Sequence, residues 1–132
     1  MKLVTKNTDY AIRAISYLAK KNGPVAVSEM SKALKISGPF LRKILQLLSN
    51  EKILASQKGK NGGFVIARPL EKIKLTELIY IFQGPISLGD CLIRKQPCPE
   101  KGSCLLRGNL TRIKTIVEKE LNAITLDTLI LR

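Results

Sequence analysis

The chain has 132 residues, 45% of them hydrophobic and 5% aromatic, with 23 lysines and arginines against 10 aspartates and glutamates, a net charge of +13. That length suits one ordinary domain or a compact domain with a helical extension, and no apolar run approaches the ~20 residues that a membrane-spanning helix needs. Asp9 and Arg13 interrupt any apolar core of a secretory signal near the start. A cytoplasmic location is therefore expected, where thiols stay reduced and grouped cysteines bind metal or do redox work rather than form disulfides.

Read in chain order, the first helix is expected from Thr8 or Asp9, with Ile12, Ile15 and Leu18 on one face, ending before Asn22-Gly23-Pro24. A second begins at Ser28, a good N-cap, with Glu29 in its first turn, and is expected to bury Met30, Ala33 and Leu34. After a tight Lys35-Ile36 turn, Ser37 caps a third helix that opens on Gly38-Pro39 and buries Leu41, Ile44, Leu45 and Leu48. Two short helices joined so briefly read as helix-turn-helix. The runs Ile53–Lys58 and Phe64–Ala67 flank Gly59-Lys60-Asn61-Gly62-Gly63, a β-hairpin with a basic, glycine-rich tip. A fourth helix, about Leu75–Phe82, stops at Gly84-Pro85. A cysteine-bearing loop follows, and then a long helix from about Cys104 to Asn122. That helix carries Leu106, Leu110, Ile113, Val117 and Leu121 at a near-heptad spacing that wants a partner helix. Thr125 caps a last turn, Leu126–Leu131. The expected fold is mainly α with a small β-hairpin. Residues 1–83 form a winged helix-turn-helix, 84–103 a cofactor loop, and 104–132 a dimerisation helix with a C-terminal turn.

The charge is unevenly placed: residues 1–75 hold fifteen Lys/Arg and four Asp/Glu, residues 76–132 eight and six. Such concentration marks a footprint for a polyanion. The basic residues are spread over several elements, so nucleic acid is favoured over a membrane surface. In a winged helix, the third helix enters the major groove and the wing reaches a flanking minor groove or phosphates. The exposed face of that helix offers Ser37, Pro39, Phe40, Arg42, Lys43 and Gln46. Arg42 and Gln46 suit base edges, and Lys43 suits phosphate. In the wing, Lys58 and Lys60 supply charge beside Asn61, while Gly59, Gly62 and Gly63 allow positive φ and close backbone approach.

Several of these stretches together resemble the Rrf2 family. They are Thr8-Asp9-Tyr10-Ala11-Ile12-Arg13, Phe40-Leu41-Arg42-Lys43-Ile44-Leu45, Lys58-Gly59-Lys60-Asn61-Gly62-Gly63-Phe64, Ala67-Arg68-Pro69, three spaced cysteines and Ile124-Thr125-Leu126. The likeness covers essentially the whole chain in order and is strongest to the three-cysteine, IscR-, NsrR- and RirA-like branch. It implies a homodimeric regulator that binds a double-stranded DNA operator, crossed over by its long helices, with an iron–sulfur cluster tuning operator binding. Two departures stand out. The wing opens with Lys58-Gly59 where the family usually has Arg-Gly, which keeps the charge but loses the bidentate fork. Arg42 stands where IscR-type members carry an acidic residue, which implies a different operator.

Cys91, Cys98 and Cys104 are the only cysteines, bunched in a Pro/Gly-rich stretch of a chain without histidine. Three thiolates do not complete an ordinary four-iron cluster or a tetrahedral zinc site. Where IscR-type members place a histidine, this chain has Arg107. The NsrR-type solution implied by the resemblance is an N-terminal aspartate supplied by the other subunit, and Asp9 occupies that place. Asp90 and Glu100 are weaker candidates, and Asp9 also suits a helix N-terminus by the dipole alone. A 4Fe-4S cluster is favoured over 2Fe-2S. The alternatives are zinc, a thiol-redox site, or a cluster-free regulator controlled by a protein partner. An enzyme is not expected: the chain lacks histidine, C-x-x-C spacing and a P-loop.

Overall fold

Helical periodicity and one glycine-rich turn account for most of what is observed. The computed structural model describes residues 3–60, 62–86 and 105–130; Asn61, Asp90, Cys91, Cys98, Glu100 and Cys104 lie outside them. The elements run α1 (Lys6–Ala19), α2 (Val27–Leu34), α3 (Gly38–Asn50), β1 (Leu54–Gln57), β2 (Gly63–Ile66), a 3-10 turn (Leu70–Lys72), α4 (Leu75–Gln83), α5 (Leu105–Asn122) and α6 (Leu126–Ile130). The expected architecture, mainly helical with one antiparallel hairpin, is the one observed.

The core gathers residues from α1 to α4, the hairpin and α6. Ala11, Ala14, Ile15 and Leu18 of α1 meet Met30 of α2, Leu41, Ile44, Leu45 and Leu48 of α3, Leu54 and Phe64 of the hairpin, and Leu78 of α4. In α3 the buried positions are those its i, i+3, i+4, i+7 pattern predicts.

Two helix starts differ from expectation. Helix α1 begins at Lys6 with Thr5 as N-cap, while Thr8 is fully buried inside it. Gln83 is responsible: its Oε1 accepts the Thr5 N–H at 2.9 Å and the Thr8 hydroxyl at 2.9 Å. A partner so distant in sequence leaves no local signal. Helix α2 begins at Val27 with Ala26 as N-cap, not at Ser28, and it buries Val27 and Met30 while Ala33 is exposed. The cause is again tertiary. Val25 forms an isolated antiparallel bridge to Phe64 of the wing, through Val25 N–H to Phe64 O at 3.0 Å and Phe64 N–H to Val25 O at 2.9 Å, which keeps the backbone extended up to the helix.

The hairpin pairs Leu54 with Ile66 and Gln57 with Gly63. A Cβ on Gly63 would lie 2.2 Å from the Val25 carbonyl oxygen, and one on Gly62 would lie 2.1 Å from that of Gln57. Glycine is needed at both positions because another backbone passes there.

The C-terminal turn joins the core of residues 1–83 rather than remaining with the long helix. Leu126 is fully buried and Ile130 nearly so. The Leu126 N–H donates to Ile73 O at 2.9 Å, the Leu75 N–H to Ile124 O at 3.0 Å, and the Thr76 hydroxyl to Asn122 Oδ1 at 2.6 Å. Leu126→Ala is therefore expected to destabilise the whole winged-helix domain by about 2–5 kcal/mol. Urea titration followed by circular dichroism would measure this, and a loss below about 1 kcal/mol would place α6 outside the cooperative core.

Candidate nucleic-acid interface

Helix α3 buries one face and frees the other: Leu41, Ile44, Leu45 and Leu48 are buried, whereas Pro39, Arg42, Lys43 and Gln46 are exposed. Arg42 and Gln46, four residues apart, stand one above the other on the free face. They sit where two clefts meet. One, about 700 Å³, runs between α2 and α3 past Ser28, Lys32, Pro39 and Lys43. The other, about 650 Å³, separates α3 from the hairpin and is bounded by Asn50, Gln57, Lys58 and Gly59. Among the described residues no carboxylate lines either cleft, so the positive field of Arg42, Lys43 and Lys58 is not locally neutralised.

The wing tip is a tight turn in which the Gly62 N–H donates to Gly59 O at 3.1 Å. Gly59 holds φ +114°, a value that favours glycine. Lys58, Gly59 and Lys60 are all exposed. Ser37 is exposed at the N-cap of α3, and its side chain makes no bond to the first turn.

Phe40 differs from the rest of the expected set. It is half-buried, with its ring edge-on to Tyr10 at 5.6 Å and 85°, so it joins α3 to α1. Residues that the sequence reading did not single out also border the site, namely Ser28, Ser31 and Lys32 of α2 and Ser49, Asn50, Ser56 and Gln57 beside the wing. The polar face of α2 opposite Met30 was the available signal for Ser28 and Lys32.

A surface cluster braces α1 to α2. The Tyr17 hydroxyl donates to Glu29 Oε2 at 2.6 Å, and Lys21 Nζ lies 3.6 Å from the same oxygen. The bond to Glu29, then burial, then the carboxylate charge push the Tyr17 pKa above its ordinary value.

Of the metal-ligand candidates, only Asp9 is described. It lies in the first turn of α1, its carboxylate 3.1 Å from Arg13 Nε, both side chains about half exposed. Such a surface i,i+4 pair is worth only about 0.3–0.5 kcal/mol, so the carboxylate can be drawn away at little cost. Among the described residues no group of three or more Cys, His, Asp or Glu is assembled, and no helix is long and apolar enough to cross a membrane.

The sequence model of the Rrf2 family, described as an iron-dependent transcriptional regulator, matches residues 4–132. The chain belongs to the Rrf2 family. It is 31% identical over 124 residues to a protein of Aquifex aeolicus (strain VF5) named as an HTH-type transcriptional regulator, covering 92% of this chain and 86% of that one. It is 27% identical over 128 residues to the HTH-type transcriptional regulator NsrR of Oceanobacillus iheyensis, covering 95% and 87%. The solved structure of CymR, the global cysteine regulator of B. subtilis, superposes with a TM-score of 0.76 at 25% identity, covering 98% and 96%. These relatives are regulators and not enzymes. The Rrf2 chain described here is a DNA-binding transcription regulator with the winged-helix fold.

If Arg42 reads a base edge, Arg42→Ala costs about 1–3 kcal/mol and relaxes preference at one position, whereas Lys58→Ala and Lys60→Ala weaken binding to every duplex. Fluorescence anisotropy on selected and random duplexes distinguishes these effects. Unchanged sequence preference in Arg42→Ala would leave that side chain only a positioning role.

Proposed function

We propose that this Rrf2 regulator acts in the cytoplasm as a homodimer on a two-half-site operator. Arg42 and Gln46 read bases, Ser37, Pro39, Lys43, Lys58, Gly59, Lys60 and Asn61 position the backbone, and Phe40 fixes the pitch of α3 against α1. We propose further that operator affinity is set by an iron–sulfur cluster held by Cys91, Cys98, Cys104 and Asp9. The observation that carries the DNA-reading role is the meeting of two carboxylate-free clefts at Arg42 and Gln46.

The donor set supports the cofactor. Three thiolates and one carboxylate complete four ligands without histidine, the number that a four-iron or a two-iron cluster takes, and zinc fits the same donors. When bound, a cluster would supply a centre whose integrity depends on iron, oxidants or nitric oxide. The likeness to NsrR favours this reading.

The chain offers a contiguous route from that region to the DNA-facing helix. Gln83 closes α4 just ahead of the cysteine segment, and it holds Thr5 and Thr8 at the start of α1, next to Asp9. Helix α1 packs on α3 through Ile15, Leu41 and their neighbours in one core. A shift at Gln83 therefore bears on the recognition helix.

Helix α5 supports the dimer. Among the described residues none of its side chains is counted in the core; Leu106 is 61% and Ile113 44% exposed, and its C-terminal Leu121 packs on the Leu75, Ile79 and Ile86 cluster. Leu106 and Ile113 are exposed while Leu110 and Val117 are half-buried, and such a partly exposed apolar stripe at near-heptad spacing is what a second copy of the same helix would cover. Ile113→Asp should then place an uncompensated charge in that contact and shift sedimentation from dimer toward monomer. An unchanged dimer would move the interface elsewhere.

Cys→Ala at 91, 98 or 104 should abolish visible absorption, iron and acid-labile sulfide in anaerobically purified protein while leaving the dimer intact. Loaded and emptied protein should differ in operator affinity by about 5–150-fold, the usual range of allosteric coupling, at one fixed salt concentration. Colourless protein with zinc, or equal affinities, would favour a second reading to which the likeness to CymR points: control through thiol chemistry or a protein partner.

A further inference from the structure

A third recess, about 390 Å³, opens at the start of α3 and shares no lining residue with the cleft beside the wing. Lys6, Asn7 and Tyr10 of α1 form one side; Lys35, Ser37 and Phe40 form the other. The edge-on contact of Tyr10 and Phe40 ties the two sides together. Both lysines are held in place. Lys6 Nζ lies 5.5 Å from the centroid of the Tyr10 ring. Lys35 adopts φ 58° and ψ 42°, a left-handed conformation uncommon for a residue with a side chain. Its amide donates to Ser31 O, and the Ser31 hydroxyl donates to Ile36 O at 2.5 Å, so the turn that presents Lys35 is pinned.

Two lysines from different elements thus line one recess, alongside the neutral polar residues Asn7 and Ser37. Among the described residues no carboxylate lines it, and neither lysine has a salt bridge; Asp9, the acid nearest Lys6 in the chain, is paired with Arg13. Like charges without a counter-charge favour an anion with oxygens to share between them. Ser37 belongs both to this recess and to the start of the exposed face that continues through Pro39 and Arg42. A diester phosphate of a duplex lying along that face would reach the recess.

We propose that Lys6 and Lys35 clamp one backbone phosphate per half-site, at the start of α3 and away from the stretch that Lys58 and Lys60 meet. This rests on the reading of α3 as the recognition helix. Phosphates held at two separate points around one helix fix its register in the groove without reading sequence.

The test uses the full chain carrying K6Q/K35N, in which asparagine tolerates the left-handed turn, and a control, K72Q/K74Q, that removes the same charge elsewhere. Binding is measured on a duplex selected from a random library and on a random duplex between 50 and 200 mM salt. For K6Q/K35N the slope of log affinity against log salt should shrink by about 0.9 per phosphate released, about 1.8 for a dimer. Affinity should fall by the same factor on both duplexes, and one phosphate per half-site should vanish from the ethylation-interference pattern. The control should keep the wild-type slope and pattern. An unchanged slope and pattern in K6Q/K35N, or an equal loss in the control, would overturn the clamp while leaving DNA binding by α3 intact. Saturable binding of inorganic phosphate to DNA-free protein, lost in K6Q/K35N, would assign the recess to a free anion and also overturn it. Wild-type protein that binds neither duplex would instead remove the reading of α3 and the clamp with it.

Discussion

Val25 and Phe64 exchange a pair of backbone hydrogen bonds, at 3.0 and 2.9 Å, and much of the geometry around α3 and the wing follows from that exchange. It converts a two-stranded hairpin, a marginal unit on its own, into a sheet anchored to the chain just before α2. It brings the wing beside α3 and thereby creates the cleft that Arg42, Gln46 and Lys58 share. The same contact explains Gly63, whose missing side chain leaves room for the Val25 carbonyl. It also explains why α2 starts at Val27, because the residue before it is still extended.

A second constraint is polar and buried. Gln83 accepts two hydrogen bonds from the first turn of α1, one of them from the fully buried Thr8. Leaving such donors unpaired would cost on the order of 1–3 kcal/mol each, so the end of α4 and the start of α1 are held in one relative position. Arg68 makes a comparable tie, donating to Glu77 at 2.7 Å and joining the exit of the wing to α4. The winged-helix unit is therefore linked at several points along α4, including the end that leads toward the cysteine segment.

The charge distribution and the apolar distribution divide the chain differently. Positive charge collects on α1, α2, α3 and the wing, where the clefts have no local carboxylates. Among the described residues, exposed apolar surface collects on α5, whose C-terminal end is braced by Leu121, Ile124 and the Thr76–Asn122 bond. Helix α6 then turns back, and Leu126 and Ile130 close the core under α1 and the 3-10 turn. A long helix that leaves the domain and a short one that returns to it make the C-terminal segment both a protruding arm and a part of the fold.

From the sequence alone, the order and type of α1 to α4, the hairpin, the long helix and the last turn were legible, as was the buried stripe of α3. Each depends on periodicity or on turn residues within a few positions, as with Gly38-Pro39 or Gly59 through Gly63. The exposed face of α3 was legible for the same reason, since what a helix does not bury it presents. Family membership was legible because motifs of this kind recur in order along the whole chain. What only the tertiary structure decided rests on partners far away in sequence. Gln83 set the start of α1, Phe64 that of α2, and Ile73 placed α6 in the core. The edge contact with Tyr10 turned Phe40 from the groove toward α1, and the convergence of Lys6 with Lys35 gathered charge from two separate elements. Local pattern carries no record of such contacts, because the chain must fold before the groups that make them meet.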